Sequence, residues 1–183
     1  PLRPQLGESW SPAPATQDGL ALNAADPMES SKSLKLVEDM IAGLMSYDQK
    51  SLSSMGMKRF WTPQFQWYGP GGIGSARGHV DYERAHQGPF LTAFPDRIGG
   101  NHKCRIGEGT YVASTGWPSL NATHFGDDWI GLPATGKRIT QRIMDFWRRE
   151  DDMLVENWVF IDMVDLISQF GIDLLPDHKR ETK

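Results

Sequence analysis

The chain predicts an α+β fold in which a curved antiparallel sheet wraps around N-terminal helices as a cone. Two observations carry this. The apolar residues of the first third recur at helical spacing, whereas residues 97–161 read as long strand-like segments joined by short hairpin connections. A stretch at the end, GKRITQRIMDFWRREDDMLVENWVFIDMVDLISQFG (136–171), reads as two long strands, a charged turn and a short closing helix. Helices first, then a meander, then a helix is the order of an α+β domain, and a curved sheet capped by helices leaves an open-mouthed cavity suited to a small molecule.

The elements follow in order. Residues 1–30 are rich in Pro, Ala, Ser and Gly without a period and are expected to form an extended arm or linker. Ser31 or Ser33 is expected to cap a helix to about Ser46, with Leu34, Val37, Met40, Ile41 and Leu44 on its buried face. Asp48 is expected to cap a short second helix through Met55, and a strand follows around Phe65–Tyr68. The run GPGGIG (69–74) lacks the Lys-Ser/Thr ending of a phosphate loop and reads as a turn. Residues 76–94 read as a helix that Pro89 kinks or divides. Strands are expected at about 97–106, 110–124, 137–149 and 153–161, joined by GEG (107–109), the longer turn LPATG (132–136) and REDD (149–152). The domain is therefore placed at 31–176, with a polar tail at 177–183.

With 183 residues the chain fits one domain with a real core. A net charge of −4 offers no basic field for nucleic acid, and no apolar run approaches the ~20 residues of a membrane span. Neither nucleic acid nor membrane is expected as a partner. The start lacks the apolar core of a signal peptide, and the single Cys104 permits no internal disulfide; both fit a reducing, cytoplasmic setting. Because the first residue is Pro, the chain is expected to be trimmed or part of a longer polypeptide.

Chemistry is expected where polar groups enter the cone. Along 137–149, Ile139, Gln141, Ile143, Asp145 and Trp147 share one face and Thr140, Arg142, Met144, Phe146 and Arg148 the other. Both faces mix apolar and polar groups, so the period does not decide which looks inward. An Asp in an apolar cavity has a raised pKa and can move protons near neutrality; the alternative is a carboxylate fixed by Arg142, Arg138 or a buried donor. His124 and His102 are candidates to share that acid/base work, or are satisfied histidines. His79, Tyr82, Glu83 and His86 fall near one helix face, either solvated or, for Tyr82 and His86, beside a ligand. Trp67, Tyr68, Trp117 and Trp147 are candidates for an aromatic wall, and Asn157 for a polar contact. A metal site from His102, His124 and Asp145 has no close-spaced ligand motif behind it, and Cys104 has no local nucleophile motif.

Several segments in order resemble the SnoaL-like polyketide cyclase (ester cyclase) family of the nuclear-transport-factor-2-like fold: WTPQF (61–65) before WYGP, ATHFGDDWIGLPATGKRI (122–139), MDFWRRED (144–151), ENWVFID (156–162) and QFG (169–171). The resemblance covers roughly Lys32 to Leu175, and GWPS (116–119) through His124 looks closest to ester-cyclase-like bacterial proteins, some with tandem domains. It implies a cone fold, a homodimer packed through the sheet, and a small hydrophobic, oxygenated substrate. It also implies a cavity carboxylate acting as general acid/base without metal or organic cofactor. The family's catalytic aspartate falls on Val159, and a cavity position held by histidine in the characterised cyclase falls on Asp145. The resemblance thus places Asp145 inside the cone and moves the carboxylate one strand across. The expected activity is a cyclase, lyase or isomerase step begun by proton abstraction, with Asp145 as base and His124 and His102 assisting. The alternative is a module of the same fold that binds a small molecule or serves assembly without catalysis.

Overall fold

A computed structural model describes residues 24–175. The predicted tail at 177–183 and the arm up to residue 23 lie outside the described residues. Within them, residues 27–30 of the expected arm are helix. Helix α1 spans Pro27–Met45, its cap five or seven residues earlier than Ser31 or Ser33, because Asp26 accepts a hydrogen bond from the Met28 amide at 2.8 Å and Pro27 occupies the first helical position. Ser33 instead turns inward, donating to the Gly109 carbonyl at 2.6 Å. Val37 and Met40 are buried, with Leu34, Ile41 and Leu44 packed against them, as the spacing predicts. Two 3-10 turns follow, Leu52–Met55 and Met57–Arg59. Ser51 caps the first, while Asp48 accepts from the Lys50 and Ser51 amides just before it.

The sheet has seven strands: β1 Trp61–Tyr68, β2 Ser75–Arg77, β3 Ile98–Gly99, β4 Cys104–Glu108, β5 Tyr111–Thr123, β6 Arg138–Glu150 and β7 Met153–Ile161. Their order is β2-β1-β7-β6-β5-β3, with β4 also paired to β5. Every pair is antiparallel except β1 with β7, so the sheet is mixed. The GPGGIG run is the turn between β1 and β2, closed by the Gly69 amide on the Gly74 carbonyl. Helices α2 (Gly78–Tyr82) and α3 (Gly88–Ala93) flank a π turn over Glu83–Gln87. Pro89, which has no amide hydrogen to give, accounts for the wide turn just before it. Helix α4 (Met163–Gln169) is the last element among the described residues, its Gln169 side-chain amide bonded to both backbone groups of Thr140.

The strand expected over 97–106 is two strands. A bulge in β5 between Gly116 and Leu120 shifts its register, and residues 100–103 leave the ladder to cross over it. The crossing is tight: a Cβ on Gly116 would sit 1.9 Å from the Asn101 carbonyl oxygen and 2.5 Å from the His102 Cα. Glycine there is what lets His102 lie across the sheet.

Burial settles the parity of β6. Ile139, Gln141, Trp147 and Arg149 are buried, while Arg142, Met144 and Phe146 face solvent. Asp145 therefore belongs to the inward face. On β7 the residue Val155 is unpaired, since Glu156 faces Arg148 and Leu154 faces Arg149, so Leu154 and Asn157 both point inward. Among the described residues no helix is long and apolar enough to cross a membrane.

Candidate active site

Asp145 sits mid-strand on β6, opposite Val159 of β7 on one side and Ser114 of β5 on the other. Its side chain keeps 16% exposure, so small polar groups still reach it. Its ionisation is nevertheless set by the protein around it: burial pushes the carboxyl up to about 7, with the Asn157 side chain pulling the other way. The two arginines considered as partners lie elsewhere. Arg142 points outward to Asp162 and Asp165, at 3.3 and 3.4 Å, and the charge of Arg138 acts on Asp96.

The group that does approach the carboxylate is His102, whose Nε2 lies 3.7 Å from Asp145 Oδ2. That exceeds hydrogen-bond length, so the two are neighbours rather than a locked ion pair. Burial, then the nearby Arg105, hold the imidazole below its ordinary pKa. Both environments favour the neutral forms: a protonated carboxyl beside an uncharged imidazole. His102 Nδ1 is buried without a protein partner.

Tyr82, on α2, is near enough to feel the Asp145 charge. Burial raises its phenol pKa, and the charges of Asp145 and Glu83 raise it further, so the hydroxyl stays a donor at physiological pH. Its ring meets Phe65 and Trp67 edge-on, each at 5.5 Å. His86 stacks on Trp67 with ring centres 4.3 Å apart and is pushed down to about 3 by burial alone, with Nδ1 unpartnered. Trp67, Asn157 and Trp147 form one row across β1, β7 and β6, immediately beside the row of Val159, Asp145 and Ser114. Asn157 Nδ2 donates to the Phe146 carbonyl at 3.0 Å.

Three predicted residues are not part of this cluster. His124 pairs through its backbone with Lys137, eight residues of β6 away from Asp145, roughly 25 Å along an extended strand. There it packs among Phe94, Trp129 and Phe170 with Nδ1 3.2 Å from Thr135 Oγ1. Tyr68 follows the inward Trp67 and so faces out, stacked on Trp158 with its hydroxyl 3.2 Å from Glu156. Trp117 sits in the β5 bulge, 58% exposed, with the Arg142 guanidinium 4.3 Å over its ring. With His124 at the far end, His102, His124 and Asp145 do not converge on a common point, and the described residues hold no group of three potential metal ligands.

The sequence does not single out two inward polar residues, Ser114 beside Asp145 and Gln141 four residues from it along β6. Ser114 and Gln141 face inward, at 2% and 0% exposure, with Ser114 Oγ and both polar atoms of the Gln141 amide lacking a protein hydrogen-bond partner. Buried polar atoms are rarely left so. A polar residue at inward parity in a long strand is the signal that finds them, once parity is known. A separate open groove of about 550 Å³ lies against β1 and the start of α2 and includes none of the residues around Asp145.

The model of the SnoaL-like polyketide cyclase family matches residues 47–170. No curated protein matches the chain. Among solved structures, the chain is similar to AclR, a putative hydroxylase from Streptomyces galilaeus, at 26% identity and TM-score 0.57, over 78% of this chain and 97% of that one. It is similar to a putative SnoaL-like polyketide cyclase from Jannaschia sp. CCS1 at 15% identity and TM-score 0.65, over 81% and 97%. It is also similar to IdmH, a putative polyketide cyclase from Streptomyces antibioticus, at 23% identity and TM-score 0.56, over 74% and 98%. The second and third likenesses concern the fold alone. A cone-forming α+β fold, a carboxylate on its inward face and a family match over more than half its length agree: the chain belongs to the SnoaL-like polyketide cyclase family.

Proposed function

We propose that the protein is an acid/base enzyme of cyclase, lyase or isomerase type, acting with protein groups alone on a small hydrophobic, oxygenated molecule of polyketide-like or aromatic character. The observation that carries this is Asp145: an inward carboxyl held near pKa 7, beside a neutral histidine, with no cation among the described residues to lock it. A group with that pKa is a usable base and, once protonated, a usable acid at neutral pH.

The step begins with transfer of a proton from carbon next to a carbonyl to the Asp145 carboxylate. The electron pair moves to the carbonyl oxygen, for which the Tyr82 hydroxyl, the Ser114 hydroxyl and His102 are the candidate donors near Asp145. The carboxyl then returns its proton to carbon, for isomerisation, or to the oxygen of a second carbonyl that the enolate carbon has attacked, for ring closure. Trp67, Trp147 and His86 supply flat apolar surface for the substrate, and Asn157 tempers the Asp145 pKa.

The test is hydrogen–deuterium exchange next to the carbonyl of hydroxylated aromatic ketones and β-diketones in D2O, followed by NMR. The native protein should catalyse exchange and Asp145→Asn should not. A ketone that binds and leaves unexchanged from the native protein would favour a non-catalytic binding module. Oligomerisation belongs to the same proposal. The outer sheet face exposes Met144, Phe146 and Phe160 beside the Tyr68–Trp158 stack, an apolar surface suited to a homodimer. Phe160→Glu should shift the molar mass measured by light scattering from dimer to monomer.

A further inference from the structure

The open groove is a binding surface of its own. The buried Trp61 and the half-buried Met153, with Pro63, supply its apolar part. Lys58, Arg77 and His79 supply its polar part, and among the described residues no carboxylate lines it. Among the described residues, the exposed Lys58 and Arg77 enter no ion pair, unlike Arg142, Arg148 and Arg149, which all pair with acids. Concentrating unpaired cations at one concavity is unexpected in a chain of net charge −4. At physiological salt the field of distant acids is screened beyond about 8 Å, so the local cations decide what approaches.

The shape is built in. Gly78, at φ +68°, starts α2 so close to β1 that a Cβ would lie 2.5 Å from the Pro63 carbonyl oxygen, and this junction forms the back of the groove. His79 lines the groove while its ring also meets Phe65, at 5.2 Å edge-on, and Phe65 in turn meets Tyr82.

We propose that this groove binds a small organic anion, a carboxylate or phosphoryl group on a flat apolar body, at a site separate from Asp145. The apolar body lies against Trp61, Pro63 and Met153, and the anionic group meets Arg77 and Lys58, with the His79 ring beside them. Arg presents a planar fork to either oxyanion, and Lys adds a point charge. The inference does not rest on the acid/base reading of Asp145.

Three probes of one ring size test it: 2-naphthoate, 2-naphthyl phosphate and the neutral 2-naphthalenemethanol, titrated into the full chain while the amide signals of Gly78, His79 and Val80 are followed by NMR. At least one anion should shift those signals and bind at least about tenfold more tightly than the alcohol, since two exposed charge contacts each contribute up to about fivefold. The tighter of the two anions identifies the headgroup. Lys58→Gln combined with Arg77→Gln should reduce the anion to the affinity of the alcohol without moving the thermal midpoint, and Asp145→Asn should leave binding at these signals unchanged. Equal affinity for the alcohol, shifts confined to Ser114 and Asn157, or no shift at millimolar probe would each overturn the proposal.

Discussion

Replacing Asp145 by Asn removes a charge while keeping the shape, and its effect on stability should depend on pH in a defined direction. A carboxyl whose pKa rises from 3.8 to about 7 on folding binds its proton more tightly in the folded state. At about 1.36 kcal/mol per tenfold, the full shift corresponds to about 4 kcal/mol of preference for the neutral form. Its 16% exposure lets water screen the charge, which discounts this to roughly 2–4 kcal/mol. Below pH 3.8 both states are protonated and the penalty is absent. Between about 4 and 7 the folded state holds more protons than the unfolded, so stability falls as pH rises, and above 7 the loss is complete. Asn carries no such penalty. In urea unfolding from pH 4.5 to 8.5, the stability of Asp145→Asn relative to the native protein should climb by roughly 2–4 kcal/mol and level off near pH 7.5. A flat difference would mean an ordinary carboxylate and would remove the physical basis for Asp145 as a base.

Three further outcomes follow from the geometry. Gly116→Ala places a Cβ against the backbone of Asn101 and His102, so it should cost about 2 kcal/mol or more and lower the thermal midpoint by about 4–8 °C in calorimetry. His124→Phe removes a buried imidazole whose Nε2 has no protein partner; stability should change by less than about 1 kcal/mol, and exchange activity should be retained, unlike in Asp145→Asn. Arg149, 2% exposed, ties Glu29 and Ser33 of α1 to the end of β6, so Arg149→Ala should cost about 2–4 kcal/mol in urea unfolding, because Ser33 is then buried without that partner.

Element order and type were legible in the sequence because they depend on local periodicity and turn residues. α1, the 107–109 and 149–152 hairpins and the π-disrupted helix at Pro89 all reflect such signals. Side-chain direction was less legible, and the reason is physical. The outer face of this sheet is itself apolar: Met144, Phe146 and Phe160 look as core-like as Ile143 and Trp147. Alternation cannot rank two apolar faces, so the adjacent aromatics Trp67 and Tyr68 are equal candidates for the wall in sequence, although strand parity turns only one of them inward. The bulges in β5 and β7 are set by contacts across the sheet, so the exit of His102 from the ladder and the unpaired Val155 have no local signal. His124 lies just beyond β5, where direction depends on α3 and α4 packing around it.

The departure from the family pattern at Val159 becomes intelligible in the same terms. Val159 and Asp145 are directly opposed across β7 and β6, and side chains so paired have Cβ atoms about 5 Å apart. A carboxylate at either position projects from the same face of the sheet, from neighbouring strands. The exchange also alters the chemistry. An aspartate at 145 has Val159 as its cross-strand neighbour, an apolar contact that adds to its desolvation, while Ser114 on the opposite side offers a hydroxyl with no other protein partner. Under the proposed function, Asp145 is a base whose pKa burial raises, and the flanking Ser114 hydroxyl would hold the substrate oxygen whose charge grows as the proton leaves. That asymmetry is what a base acting next to a carbonyl requires, and it arises without any residue at the customary position.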